Sequence, residues 1–389
     1  MQTLGSEVQC TPRSAADDPR MPGESPVVSW LRALTGVAPV SSVASDPAGN
    51  LFLARSDTEL SKLAANGELS WSKAFGSLVV SDELGNAYVA GTFATTLQLG
   101  SSELHGVGGS DVYLVKLDPS GTPSYGVVLG GAGDERVQSL ALDSARNVII
   151  SGTGLGTLKL DPEANILWSK DFFGQVAVDA LGNVLLTGAL TGSEDFGGGA
   201  LTSAGAADIF LVKLSPTGEH IFSRRFGDAA EQRGQAIAVD HAGNALIGGI
   251  FAGQVDFGVG ALVLRPGACP QEVWCESAGF VAKLDANGNA LWSVSRTPMR
   301  ALSGLAVSSA DEIVLSGTLP GNVRPYRIPL LSELSGDGAE LWRRSDWPET
   351  GIGEGHDVVV DRCDNVLWSV SVSPSLGSDE QPYLAKLLP

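Results

Sequence analysis

Two short signatures, each recurring seven times and strictly interleaved, constrain this chain more than any other feature. The first, D-x-x-G-N or a variant, occurs as DPAGN (46–50), DELGN (82–86), DSARN (143–147), DALGN (179–183), DHAGN (240–244), SSADE (308–312) and DRCDN (361–365). The second, Lys-Leu ahead of a turn, occurs at Lys62, Lys116, Lys159, Lys213, Lys283 and Lys386, with Glu333 standing in the sixth copy. Such a period marks a unit that cannot bury its own faces and must stack on its neighbours. The copy at 175–226 shows the unit most clearly, with strands expected at 175–179, 184–189, 209–214 and 220–226. Asp179 opens its first turn, where the carboxylate can bond the backbone two residues on, and Gly182 supplies the positive φ that closes the hairpin. Ser215-Pro-Thr-Gly218 makes the turn between the third and fourth strands, with Pro fixing φ early and Gly ending it. The unit is an antiparallel four-stranded meander.

A third signature decides how the array closes. Fourth-strand aromatics follow the first turn as Trp71, Tyr125, Trp168, Phe222, Trp292 and Trp342, six for seven units, and KLLP (386–389) stops after a third strand. The missing strand reads at the other end as PVVSWLRAL (26–34), with Trp30 as its aromatic. A ring that borrows its last strand from the N-terminus leaves no free sheet edge. The expectation is an all-β, seven-bladed β-propeller of four-stranded antiparallel blades. The closing strand is at 26–34 and the blades at about 40–76, 77–130, 137–173, 175–227, 235–295, 302–344 and 357–389, forming one domain at 26–389.

The blade consensus, with its DFGGG, LTSAG, IFLVKL-x-P-x-G and D-x-x-G-N elements, resembles the bacterial SBBP family of seven-bladed β-propeller repeats. The resemblance covers residues 26–389, with the second, fourth and fifth units matching best and the sixth worn. It implies an exported or surface-associated bacterial protein, lipoprotein-like in setting, and supplies no catalytic residue or cofactor.

Composition agrees with a turn-rich β protein: 49 glycines in 389 residues, 43% apolar and 18% charged. The third strand of the model unit, Ile209–Val212, is apolar on both faces, as blades packed on both sides require. A net charge of −19 repels phosphate backbones and argues against nucleic acid. No apolar run reaches the roughly 18 residues of a membrane-spanning helix. Residues 1–25 are polar and read as a disordered leader without a signal peptide's apolar core. Cys10 follows Glu-Val-Gln, which is not a lipobox. The true start is therefore expected upstream, with an extracytoplasmic location. Cys269 and Cys275 bracket PQEVW and are expected to form a small disulfide loop. Cys10 and Cys363 pair or stay free.

Most length variation falls between second and third strands, so one face of the disc carries the irregular loops. The connections into the innermost strands line one channel mouth. GAGDERVQSLALD (131–143) and DAAEQRGQAIAVD (228–240) place Asp134 with Glu231, Arg136 with Arg233 and Gln138 with Gln235; GEGHDVVVD (353–361) adds Glu354 and His356. These eight are the candidate binding residues; their simplest alternative is repeat-determined salt bridges that order loops. The glycine runs at 197–199 and 258–260 lack a following helix and a GxxxxGK[ST] motif, so they read as hairpins rather than phosphate cradles. The D-x-x-G-N turns lack the ladder of a calcium loop, and neither a metal site nor a cofactor is expected. The leading function is a noncatalytic binding or scaffold module for protein or glycan at the cell envelope, acting through the long loops of blades two, four and five. One alternative is a lyase or hydrolase using Asp134, Glu231, Arg136, Arg233 and His356, which requires those side chains to converge in a pocket. The other is a purely structural surface protein.

Overall fold

A computed structural model of the chain describes residues 26–34, 38–264, 277–296, 298–321, 327–345, 352–373 and 381–388. The expected leader at 1–25 and the Cys269–Cys275 loop lie outside these residues. Every regular element among the described residues is a β-strand, and the strands form seven four-stranded antiparallel sheets plus two small hairpins. The blades span 42–73, 78–129, 136–170, 175–226, 232–296 and 301–344, and the seventh joins 353–387 to the N-terminal strand Val28–Ala33. That strand pairs antiparallel with Gln381–Leu387, Trp30 opposite Lys386 and Ala33 opposite Tyr383. The ring is closed by its two ends, as the count of fourth-strand aromatics implies.

The core is divided among the joints between blades. Each of seven buried clusters spans two neighbours, for example Leu211 and Phe222 of blade four with Ile247 and Phe280 of blade five. Leu51 and Leu53 of blade one likewise meet Leu367 and Leu384 of blade seven. Middle strands are therefore buried on both faces, and Ala278–Leu284 and Val366–Val372 have no exposed residue. Each fully buried Leu or Phe contributes about 1.5–3 kcal/mol.

The two signatures turn out to be halves of one device. In each intact turn the Asp carboxylate accepts the N–H groups two and four residues on; for Asp179 these are Leu181 and Asn183, at 3.0 and 2.9 Å. The Asn183 amide donates to its second oxygen at 2.8 Å, and Lys213 meets that oxygen at 3.0 Å. Equivalent buried ion pairs join Lys62 to Asp46, Lys159 to Asp143, Lys283 to Asp240 and Lys386 to Asp361. The lysine also reaches forward: Lys159 and the indole N–H of Trp168 both donate, at 3.1 Å, to the Pro216 carbonyl in the next blade's third turn. Lys62 with Trp71 holds Pro119, and Lys283 with Trp292 holds Gly336, in the same way. The aromatic ring lies against that turn's glycine, whose absent Cβ would stand 2.8 Å from Trp71 at Gly121 and 3.0 Å from Trp168 at Gly218. Trp30 of the closing strand takes the same place over Gly67.

The long loops fold back in part onto their own blades. In blade four the second and third strands continue as Val184–Asp195 and Ala200–Leu214, closed where Asp195 accepts the N–H groups of Gly197 and Gly199. Phe196 turns back against Phe210, and Phe257 of blade five against Phe280. In blade two the hairpin Thr96–Leu99 with Ser102–His105 brings Leu99 and Leu104 onto Gly126 of the fourth strand. Phe196, Phe257, Leu99 and Leu104 thus cover their own blades, while Val107, Val259 and Val263 of the same loops are exposed.

Candidate functional site

The inner strands enter the channel through β-bulges, and these aim side chains at the mouth. The ladder register skips between Val137 and Ser139, between Gly234 and Ala236, and between Leu302 and Gly304. The bulged residues are Gln138, Gln235 and Ser303; a bulge leaves one residue out of the pairing and re-aims it. Blade seven skips between Gly355 and Val358, which releases His356 and Asp357. Blade four has Gly174 at the position of the two glutamines, so a gap opens between them.

That gap is a cavity of about 780 Å³ lined by blades three to six. Its apolar wall comprises Phe172, Phe173, Leu190, Phe196 and Phe210; Gln138, Gln175, Gln235 and Ser303 face it, and Asp171, Glu194 and Arg233 stand at its edge. Phe172 meets Phe196 edge-on at 5.0 Å, and Phe196 lies 4.9 Å from Phe210. The Gln138 amide donates to the Thr153 hydroxyl at 3.0 Å. The Gln235 oxygen accepts the Leu302 N–H at 3.1 Å, linking blade five to blade six.

Of the eight residues singled out from the sequence, Gln138, Arg233 and Gln235 line this cavity. The others are held elsewhere. Asp134 accepts the Ser110 N–H at 2.9 Å and orders the loop ahead of blade two's third strand. Arg136 is exposed, and its charge acts on Asp57, whose carboxyl burial pushes above the usual range against the Thr92 N–H and Arg136. Glu231 is ion-paired with Arg233, and Glu354 with Arg327. The His356 ring bonds the Ser371 hydroxyl at 2.7 Å, and burial pulls its pKa down to about 4.

Asp357 escaped the sequence reading. Its two oxygens accept the Val43 N–H of blade one, at 2.8 Å, and the Val358 N–H, at 2.9 Å. Burial pushes its pKa up to about 6, against the lowering effect of those two bonds. Counting back from the turn Asp, Ser42 and Ser139 occupy the same position and accept N–H groups from Val79 and Val176 of the following blades. A short acceptor four residues before the turn was the available signal. Cys363 is disulfide-bonded, and the other three cysteines lie outside the described residues.

Comparison with known proteins adds the following. No family model matches the chain. A stretch of 169 residues, 42% of the chain, is 27% identical to a protein of Acanthamoeba polyphaga mimivirus described as an uncharacterized WD repeat-containing protein, and covers 11% of that relative's length. Among solved structures, the WD40 repeats of RRP9 superpose with a TM-score of 0.59 over 94% of this chain and 99% of that one, at 10% identity. At that identity the likeness is one of fold, and the fold it supports is the seven-bladed propeller that the strand pairing displays.

Proposed function

We propose that this chain is a noncatalytic interaction module, a rigid propeller that holds another protein at the mouth between blades three and six. The observation carrying this reading is the cavity itself: an aromatic wall faced by amide side chains on β-bulges, on a scaffold whose turns are latched from blade to blade. Ligand sites are characteristically apolar hollows with a few placed polar groups. The mimivirus relative is described as WD repeat-containing and the RRP9 structure as WD40 repeats, and WD40 propellers generally bind proteins, which supports recognition as the use of the fold. The acid–base alternative loses its footing, because Asp134, Glu231, Glu354 and His356 each serve a structural partner and none of the four lines this cavity.

The setting belongs to the same proposal: an exported protein of the bacterial envelope, of the SBBP repeat type. The blade consensus and the disulfide at Cys363 support it, since disulfides persist in oxidising compartments. A net charge of −19 disfavours nucleic acid as the partner. The test is a photo-crosslinking amino acid at Phe173, with Leu181 on the opposite face as control, in envelope extract. A discrete protein adduct at 173 alone, competed by unmodified chain, is the expected result. Equal labelling at both positions would remove the mouth as the recognition surface.

A further inference from the structure

The mouth has a polarity that narrows what it can read. Gly188 and Gly174 let the ring of Phe210 pack against their backbone: a Cβ at 188 would stand 2.8 Å from its edge, and one at 174 would stand 3.0 Å from it and 2.4 Å from the Thr187 carbonyl oxygen. The Phe196 and Phe210 rings are buried behind the wall and back it, and its accessible aromatic surface is the half-buried Phe172 with Phe173, which is 38% exposed. Aromatic rings add stacked or edge-on partners favourably. On either side stand two glutamines whose amides are oriented by the fold. Gln138 commits one amide N–H to Thr153, which orients its oxygen as an acceptor; Gln235 commits its oxygen to the Leu302 N–H, which leaves its NH₂ as a donor. An oriented acceptor and an oriented donor beside an aromatic wall complement the N–H and C=O groups of a peptide backbone. Sugar hydroxyls rotate to suit either partner and do not require that polarity. Arg233 is neutralised by Glu231, whereas Asp171 and Glu194 at the edge are exposed, so the local field favours a cation.

We propose that the mouth binds an extended peptide presenting an aromatic side chain, with a basic residue beside it. This rests on the reading of the mouth as a protein-binding site and names its partner. The aromatic side chain packs on Phe173 and Phe172. Its backbone bonds Gln138 and Gln235, and the basic neighbour meets Asp171 and Glu194.

The test uses the full chain against display libraries of heptapeptides, one with Phe, Tyr or Trp fixed at the centre and one with Ala fixed there. An array of neutral glycans is screened in parallel. The expected result is enrichment from the aromatic library alone, with Lys or Arg next to the centre. Synthetic peptides of the enriched sequences, measured by calorimetry, should bind at least tenfold more weakly to Gln235→Glu, which keeps the acceptor for Leu302 but loses the donor. Phe173→Ala should weaken them similarly, while Leu181→Ala leaves them unchanged and all three variants keep the wild-type melting temperature. Peptides enriched equally from the Ala library, or indifferent to Gln235→Glu, overturn the inference. Glycan binding lost in the same variants overturns the peptide class and retains the mouth as a recognition site. An adduct at Phe173 with no enriched peptide does the same. No binder in either arm, together with no mouth-specific adduct at Phe173, overturns the underlying reading as well.

Discussion

Replacing Lys159 with Met tests the latch that joins blade three to blade four. Its ammonium is 2% exposed and lies 2.9 Å from Asp143 and 3.1 Å from the Pro216 carbonyl oxygen. Removing one member of a buried ion pair leaves the other uncompensated, at a cost of about 3–5 kcal/mol. Asp143→Ser should cost about 3 kcal/mol for the reciprocal reason, a stranded ammonium. The double variant is the informative one, because the chain already contains its turn. In the sixth unit Ser308 replaces the Asp, and its hydroxyl still accepts the Ala310 and Glu312 N–H groups, at 3.3 and 3.1 Å. The Pro216 carbonyl also retains the Trp168 N–H. Asp143→Ser with Lys159→Met should therefore cost about 3 kcal/mol, against about 6 if the two effects added, a coupling at the upper end for residues in contact. The assay is urea unfolding at neutral pH followed by tryptophan fluorescence for the four proteins of the cycle. Additivity within about 0.5 kcal/mol would show that lysine and carboxylate act independently and refute the latch.

Other perturbations give equally definite expectations. His356 and Asp357 are adjacent, and their shifts oppose one another: the imidazole, lowered to about 4, makes stability rise with pH between 4 and 6.5, while the carboxyl, raised to about 6, makes it fall between 3.8 and 6. Each effect is about 3 kcal/mol by linkage and they nearly cancel, so wild-type melting temperature should be flat across that window. His356→Gln should then lose stability as pH rises from 4 to 6, and Asp357→Ser should gain it; two variants with the same slope would contradict the assignment. Asp143, Asp179 and Asp240 are held below the usual carboxylate range, the rise from burial being outweighed by hydrogen bonds from their lysine and asparagine partners. Their contribution is present above the unfolded value and is lost as pH falls through the folded one, so melting below pH 4 should soften in Lys159→Met less than in wild type. Gly218 sits at φ 83° with the Trp168 ring 3.0 Å from where a Cβ would be, so Gly218→Ala should cost about 1–3 kcal/mol in the same urea assay. An unchanged midpoint would show that the turn does not need glycine.

Fold and site differ in how far they can be read from the residues. The repeat count, the strand order and the closing strand follow from period and turn chemistry, because D-x-x-G-N and S-P-T-G impose their hairpins locally. Gln138, Arg233 and Gln235 were reachable by aligning units on the turn Asp. The cavity was not, since it depends on an absence, the missing side chain at Gly174, and on Phe196 folding back from a hairpin tip onto Phe210. The lysines and the turn carboxylates were each visible as a periodic mark, but sequence spacing does not show that they touch.

That contact explains why the sixth unit departs from the pattern in two places at once. In the other latched units, lysine offsets the turn carboxylate and grips the third turn of the following blade. The blade following the sixth is the seventh, whose third strand, Gln381–Leu387, and fourth strand, Val28–Ala33, come from opposite ends of the sequence. No turn joins them, so a lysine at 333 would have no carbonyl of that kind to hold. Without the lysine, a carboxylate at 308 would be buried uncompensated, and serine there makes the same two backbone bonds without charge. Glu333 instead accepts the indole N–H of Trp342, which stays within its own blade. With both changes the sixth unit carries neither the buried ammonium nor the buried turn carboxylate. Glu333→Lys alone removes the acceptor of the buried Trp342 indole N–H and should cost about 1–3 kcal/mol. If the variant matched wild type in urea, the Glu333–Trp342 bond would not be what the sixth unit holds in place of the latch.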